Sequence, residues 1–596
     1  MTIYNAPARD LSFVVNELLN FEQHREELGF EDADPATISA IFEEAGKLAS
    51  DVFHPINQSG DEQGCRLEDG EVFTPDGFKE AFKQYTDSGW GGLNAPEEYG
   101  GQGMPHTVSF LVSELFTGAN HSFYMYPSLT HGAFGAIATW ADEETKQLYL
   151  PKMVNCEWTG TMNLTESHAG TDLGMIRTKA IPQDNGKYRI TGNKIFISCG
   201  EHQMGENIVH LVLAKLPDAP EGSRGISMFI VPKFLVGDDG TLGARNGVRC
   251  SSIEHKMGIN ASATCVLDFE DAEGFMIGKP NEGLKAMFTM MNSARLGVGI
   301  EGLGTAEVSY QNAVVYAKDR IQGKAVDGRK LPEKPADPII HHPDVRRMLL
   351  GMRSFIEGAR ALAGYTALQI DISHCHPDEQ ARQNAEDFLG LMTPVVKGFF
   401  TDEGTAAANT AVQVYGGHGY IKEHGVEQFA RDARISQIYE GTNGIQAMDL
   451  VGRKLGLNGG RAVMAYFQEV GALLKSAGDD EAMQPYTQPM AAALASLQKA
   501  TQWFMQNAMQ DPTNAGAGAV DFLRLFGIVA VGAMWVRMAQ TCQKALADGS
   551  SDKAFYETKL SVGRFYMEHF VPEHTSLLAR IETGSETMMG IAAEAF

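Results

Sequence analysis

"MNLTESHAGTDLGMIRTKA", residues 162–180, marks a change in the character of the chain. Before it, apolar residues recur at helical spacing, as in "ATISAIFEEAGKLASDVF" (36–53) and "EETKQLYLPKMV" (143–154). From about 156 to 275 the pattern becomes short apolar or alternating runs divided by turns: "GTMNLTE", "RTKAIP", "YRITGNKIFIS", "IVHLVLAKL", "GISMFIVPKF" and "ATCVLDFE". "QDNGKY" and "GDDG" are turn sequences of the hairpin type. Such a stretch of roughly 120 residues predicts a β domain, a small barrel or sandwich.

Helical periodicity returns from about residue 281 in long, strongly apolar segments of bundle type. After about 456 the composition shifts to Ala, Met and Gln, with an expected glycine-rich break at "PTNAGAG" (512–518). The fold class expected is a multidomain α+β protein. It has an arm with a short helix (1–35), an N-terminal α domain (36–155) and a middle β domain (156–280). A helical-bundle domain (281–456) and an additional helical domain (457–596) follow. A β domain between helical domains leaves a crevice for a large cofactor.

A chain of 596 residues is too long for one core. Its net charge of −26 argues against a nucleic-acid partner. Residues 457–596 hold 14 Asp plus Glu against 10 Lys plus Arg, which counts against a basic interaction region there. Seven scattered cysteines without a CxxC read as free thiols in a reducing compartment. The acidic N-terminus lacks the features of a signal or transit peptide. "LFGIVAVGAMWV" (525–536) is too short to span a bilayer, so no integral membrane segment is expected and the localisation expected is cytoplasmic. "HCHPD" (374–378) has no second ligand cluster at metal spacing and reads as a loop, so no metal is expected.

"QIYEGTNGIQ" (437–446) sets one carboxylate, Glu440, beside Ile438 and Tyr439 and before a tight glycine turn. One reading is a helix start with Thr442 or Asn443 as cap. The other is a carboxylate kept dry for use as a base, because burial raises its pKa. Four segments in order bear on the choice: residues 162–180, "GNKIFISCGE" (192–201), "AVQVYGGHGY" (411–420) and "RDARISQIYEGTNGIQ" (431–446). Together they resemble the acyl-CoA dehydrogenase family, over nearly the whole chain to about residue 455. The extra C-terminal region resembles its members of about 600 residues, which include fatty acyl-CoA and 3-methylthiopropanoyl-CoA dehydrogenases.

The resemblance implies an FAD enzyme in which Glu440 is the catalytic base and Gly441 leaves room for the thioester. It implies flavin contacts from Met162, Thr165, Phe196 and Ser198. Phe196 stands where the family often has Trp, which keeps the stacking area and loses the indole N–H. Gly170 and Thr171 fall in "TESHAGTD", where the family pattern is "TEPGAGSD"; Thr171 is placed near the pyrophosphate and the thioester. Arg320, His342, Gln413, Gly417 and Thr442 fall at further FAD positions, with Pro343 in place of a family Gln and Gly444 where many members have Gln. Asn292 and Arg295 fall near the CoA. The chain has no strand–GxGxxG–helix unit, so no nicotinamide site is expected. The activity implied is dehydrogenation of an acyl-CoA to the trans-2-enoyl-CoA, with an electron-transferring flavoprotein as acceptor and a homodimer as assembly. An acyl-CoA oxidase and a low-turnover binding protein of the same fold are the alternatives.

Overall fold

A computed structural model describes residues 2–478, 480–508 and 510–596. The chain forms two compact units. One contains residues 1–47, 105–118 and 298–596; the other contains 48–104 and 119–297.

The second unit is built on seven strands: β1 (Trp158–Asn163), β2 (Lys179–Pro182), β3 (Tyr188–Ser198), β4 (Asn207–Lys215), β5 (Ile226–Pro232), β6 (Val248–Ile253) and β7 (Thr264–Ile277). Pairing runs β3–β2–β4–β5–β7 and back to β3, a closed ring. The β domain is therefore a barrel. β1 adds to β4 in parallel, with Met162 opposite Leu211, and β6 adds to β7. "QDNGKY" turns between β2 and β3, and "GDDG" joins a short hairpin of 234–236 with 242–245.

β4 is buried on both faces. Val212 and Ala214 join Ile190, Ile197, Phe229 and Leu267 in one core, while Val209, Leu211 and Leu213 pack with Ile137, Tyr149 and Trp158 in the other. A strand with two buried faces reads as a near-continuous apolar run, which is the pattern of "IVHLVLAKL". The polar residue in its middle, His210, receives a partner on β1: Thr161 Oγ1 lies 2.8 Å from its Nδ1. Thr159 Oγ1 lies 2.9 Å from His202 Nε2 in the same way, and Asn163 donates to Thr161 at 2.9 Å. Buried polar groups must be paired, and here hydroxyls and imidazoles pair with each other.

The first unit is helical. Its main elements are α1 (Gly283–Asp319, within which the division between the units falls), α2 (Pro343–Cys375), α3 (Glu379–Tyr415) and α4 (Asn443–Asp449). α5 (Arg461–Ser476), α6 (Gln484–Asn507), α7 (Pro512–Ala547), α8 (Lys553–His569) and α9 (His574–Glu582) follow. Pro343 starts α2, where a missing N–H costs nothing, and the Asp378 carboxylate caps α3 through the Gln380 and Ala381 amides.

The glycine-rich stretch 512–518 is not a break. The break comes at Asp511, which caps α7 through Thr513 N–H at 2.9 Å; Pro512 is then the first helical residue. The glycine at 518 serves packing, since a Cβ there would sit 2.9 Å from the Phe504 ring. By length and composition α7 could cross a membrane, but 83% of its most apolar window is buried inside the protein. The N-terminal arm holds more helix than expected, with Ala8–Ser12, a wider turn over Phe13–Leu18, and Glu22–Leu28. Leu11, Phe13, Val14 and Val15 are fully buried, which is what ties the arm down.

The interior of this unit also carries charge. Arg360 of α2 donates to Asp10 (2.6 Å), Glu114 (3.0 Å) and Glu307 (2.6 Å), all of them nearly or fully buried. Lys559 of α8 bonds Asp10 and, at 2.8 Å, Glu357, which also receives Arg353 at 2.6 Å. A buried cluster of this kind adds little net stability when intact and costs several kcal/mol when one partner goes.

All seven cysteines are free. "HCHPD" straddles the end of α2, with His374 and Cys375 in its last turn. Among the described residues no group of three or more His, Cys, Asp or Glu side chains is arranged to hold a metal.

Candidate active site

In the barrel unit the expected flavin contacts lie on the end of β1, the loop after it, and β3. Ile195 N–H bonds the Thr165 carbonyl at 2.9 Å, which joins the loop to β3 and sets Thr165 beside Phe196. Phe196 has a left-handed backbone (φ 58°) and its ring is 59% exposed. A large aromatic displayed this way on a strand is an unspent apolar face. The hydroxyls of Thr165 and Ser198 make no hydrogen bond among the described residues. Two free hydroxyls flanking an exposed ring fit a flat, heteroatom-rich group such as the isoalloxazine of FAD.

What holds this corner is a pair that sequence reasoning did not single out. Lys194, fully buried between Asn193 and Ile195, donates to the Leu164 carbonyl (2.9 Å) and to Glu166 (2.9 Å). Glu166 also accepts from Arg177 N–H (2.7 Å), Thr178 N–H (3.0 Å) and Thr178 Oγ1 (2.6 Å). Burial pushes the Lys194 ammonium down to about 8, against the pull of Glu166. Burial works the other way on Glu166, yet Lys194 and the three hydrogen-bond donors hold it below its ordinary value. His168, in place of a family glycine, lies 3.0 Å from the Met175 carbonyl and spans the loop in which Gly170 and Thr171 are exposed. Asn292 and Arg295 lie on α1, where Arg295 reaches Asn292 at 3.4 Å and stands 5.9 Å from the Phe288 ring.

In the helical unit, Glu440 sits in a tight turn between the 3₁₀ turn Arg434–Gln437 and α4. Thr442 caps α4 through Ile445 N–H at 3.4 Å, so the bare helix-start reading describes the local geometry correctly. The backbone at Glu440 is more telling. Its φ is 57°, and Gly441 follows at 87°. A left-handed residue with a side chain costs about 1–2 kcal/mol, and Gly441 spares the turn a second such cost.

Three sets of bonds hold this turn. Gln446, itself buried, donates to the carbonyls of Glu440 (3.0 Å) and Gly441 (3.3 Å). The Tyr439 hydroxyl bonds Glu301. Asn443 accepts from Lys397 (2.7 Å) and donates to Gly398 O, Thr401 Oγ1 and Asp402 Oδ1 on α3. None of these partners was legible beforehand except by position inside "EGTNGIQ". Lys397 and Asp402 lie some forty residues upstream on another helix, with no local motif to mark them.

One expectation fails within this unit. Ile438 and Tyr439 do not close over the carboxylate: Ile438 is 46% exposed and Glu440 is half-buried. A turn this tight splays successive side chains, and Tyr439 is committed to Glu301.

Arg320, Gln413 and Gly417 gather at the far end of α3, because Tyr316 of α1 stacks on Tyr415 at 4.1 Å and bonds His418 at 2.8 Å. From Asp402 to Gln413 is about 16 Å along the helix. The Arg320 guanidinium and the Gln413 amide are exposed and have no partner among the described residues. A free guanidinium fork suits a diphosphate. His342 differs: its Nε2 lies 2.8 Å from the Gln322 carbonyl, so its ring pins the preceding loop while the residue caps α2.

Comparison with known proteins identifies the family. Four family models match in order: the acyl-CoA dehydrogenase N-terminal domain (26–157), middle domain (161–272) and C-terminal domain (281–455), and an acetyl-CoA dehydrogenase C-terminal-like domain (466–592). A 3-methylmercaptopropionyl-CoA dehydrogenase of Ruegeria pomeroyi is 42% identical over 98% of this chain and 99% of its own. A broad-specificity linear acyl-CoA dehydrogenase, FadE5, of Mycobacterium tuberculosis is 33% identical over the full length of both. An acyl-CoA dehydrogenase of Bacillus anthracis, solved in complex with FAD, superposes with a TM-score of 0.74 at 21% identity, over 94% of this chain and 90% of its own. The chain belongs to the acyl-CoA dehydrogenase family and is an oxidoreductase of the FAD-dependent kind.

Proposed function

We propose that the protein oxidises an acyl-CoA thioester to its trans-2-enoyl-CoA, with Glu440 taking the α-proton. FAD, when bound, supplies the acceptor for the β-hydride. Thr165, Phe196 and Ser198, with Met162, would hold the flavin ring. Gly170 and Thr171 would lie along its chain; Arg320, Gln413, Gly417 and Thr442 would meet the phosphates and adenosine half. Asn292, Arg295 and Gly441 would border the CoA thioester. The observation that carries the reading is the Glu440 backbone. Left-handed residues with side chains persist where surrounding structure over-determines them, and they cluster at functional sites. Here one glutamine and one asparagine amide fix a turn whose one carboxylate is Glu440.

The substrate we favour is 3-(methylthio)propanoyl-CoA, on the strength of the 42% whole-length likeness. Linear fatty acyl-CoA is the second reading, supported by the 33% likeness to a broad-specificity enzyme. An electron-transferring flavoprotein as acceptor, a homodimer as assembly and a cytoplasmic setting complete the reading. Stoichiometric peroxide release in air would replace the dehydrogenase with an oxidase.

The test is stopped-flow bleaching of the flavin under anaerobic conditions over butanoyl-, octanoyl-, palmitoyl- and 3-(methylthio)propanoyl-CoA. Glu440→Gln keeps shape but accepts no proton. It stays yellow, binds acyl-CoA, and bleaches at least about 10²-fold more slowly. Bleaching at the wild-type rate would reduce Glu440 to a helix-end residue.

A further inference from the structure

We propose that Asp402 is a positioning residue for the reaction, a clip that closes the catalytic turn at its base; this rests on Glu440 being the base. One carboxylate oxygen, Asp402 Oδ1 on α3, accepts two side-chain amides. Gln437 Nε2 arrives at 2.6 Å and Asn443 Nδ2 at 2.7 Å. These residues stand three before and three after Glu440. The segment 437–443 is therefore a loop joined at both feet to a single oxygen, with Glu440 at its apex.

The amide orientations follow from charge. Asn443 Oδ1 faces the Lys397 ammonium at 2.7 Å, and Gln437 Oε1 faces the Arg434 guanidinium at 3.1 Å. Each amide thus presents its oxygen to a cation and its NH₂ to Asp402, and reversing either would set like against like. Above the feet, Gln446 Nε2 holds the carbonyls of Glu440 and Gly441. Because that NH₂ must face two carbonyls, Gln446 Oε1 is left buried without a partner. The clip at the feet and the Gln446 bonds at the shoulders fix the direction of the Glu440 Cα–Cβ bond.

Releasing the feet does not remove the packing of α3 or α4. Thr401, Gln446, Ala447 and Leu450 stay buried, so the effect is local to the turn. Misplacing a catalytic group by about 1 Å costs up to about 10²-fold in rate.

The experiment compares holoenzymes carrying Asp402→Ala, Asp402→Asn, Gln437→Ala and Glu440→Gln. It uses 3-(methylthio)propanoyl-CoA or octanoyl-CoA, whichever bleaches the wild type faster. Asp402→Ala is expected to slow bleaching at saturating substrate at least about tenfold, with half-saturation within about threefold of wild type and an unchanged flavin spectrum. Amide exchange over 438–443 should speed up in the same variant. Asp402→Asn keeps an oxygen that can accept both amides and should recover to within about threefold of wild type. Wild-type bleaching by Asp402→Ala, or a loss confined to half-saturation, would overturn the clip while slow Glu440→Gln left the base in place. Wild-type bleaching by Glu440→Gln would overturn the base and the clip together. If Asp402→Ala does not fold, Gln437→Ala decides: loss of one foot should slow bleaching by at least about threefold at unchanged flavin content, and no loss overturns the clip.

Discussion

Acidification should weaken the barrel through two histidines. His202 and His210 are fully buried, and burial, with the nearby Lys233 charge next, pushes each down to about 3. An exposed histidine titrates near 6.5, so between those values the unfolded chain binds two protons that the folded barrel refuses. Stability is therefore lost as pH falls below 6.5, and the loss stops growing near 3. From pH 7 to pH 5 each imidazole contributes about 1.9 kcal/mol of loss by linkage, so the pair contributes about 4 kcal/mol. Other groups oppose this. Burial lifts Glu114 to about 7 and Asp371 to about 6, so the folded state gains protons there over the same range. Both lie in the helical unit, so a comparison of wild type with a His202→Gln/His210→Gln variant cancels them. Glutamine can keep a bond to Thr159 or Thr161 and cannot take the proton. Urea midpoints of the barrel transition, measured at pH 7 and pH 5 for both proteins, give the difference directly. The wild type should lose about 4 kcal/mol more than the variant. Equal losses would show that the acid sensitivity arises elsewhere and that the paired imidazoles are not kept neutral by burial.

Two further substitutions probe the proposed cofactor contacts, one in each unit. Lys194→Met leaves Glu166 buried without its cation. It should cost about 3–5 kcal/mol in urea denaturation and weaken FAD binding; full stability and wild-type flavin affinity would show that the pair is dispensable. Arg320→Ala should lose a charge-assisted bond of about 1.5–3 kcal/mol to the diphosphate, read as reduced flavin content and weaker rebinding in a fluorescence titration. Unchanged flavin content would remove that position from the site.

Alternating or continuous apolar runs and turn dipeptides made the barrel strands readable, because a strand with one or two buried faces has few sequences open to it. β3 is "YRITGNKIFIS" to the residue. The glycines of 512–518 misled, because glycine next to proline signals a turn locally while a close ring contact at Phe504 favours it in a helix. Glu440 and Phe196 were visible as part of short motifs, but their left-handed backbones were not, since φ is fixed by contacts outside the segment. Asp402 and Lys194 show the limit most clearly. Each acts through residues that helix or sheet packing brings to it, and an isolated Asp on a helix looks the same whether it faces solvent or an asparagine.

Asp10 accepts from both Arg360 and Lys559, so the first folded helix of the chain and one of its last share an anion. On the ribosome these partners are separated by about 550 residues of synthesis, roughly half a minute to two minutes at about 5–20 residues per second. The barrel unit has emerged by residue 297, long before. The nascent protein therefore holds a fully translated barrel unit while Phe13 and Val14 of its amino-terminal strap still await Phe555 and Gly364.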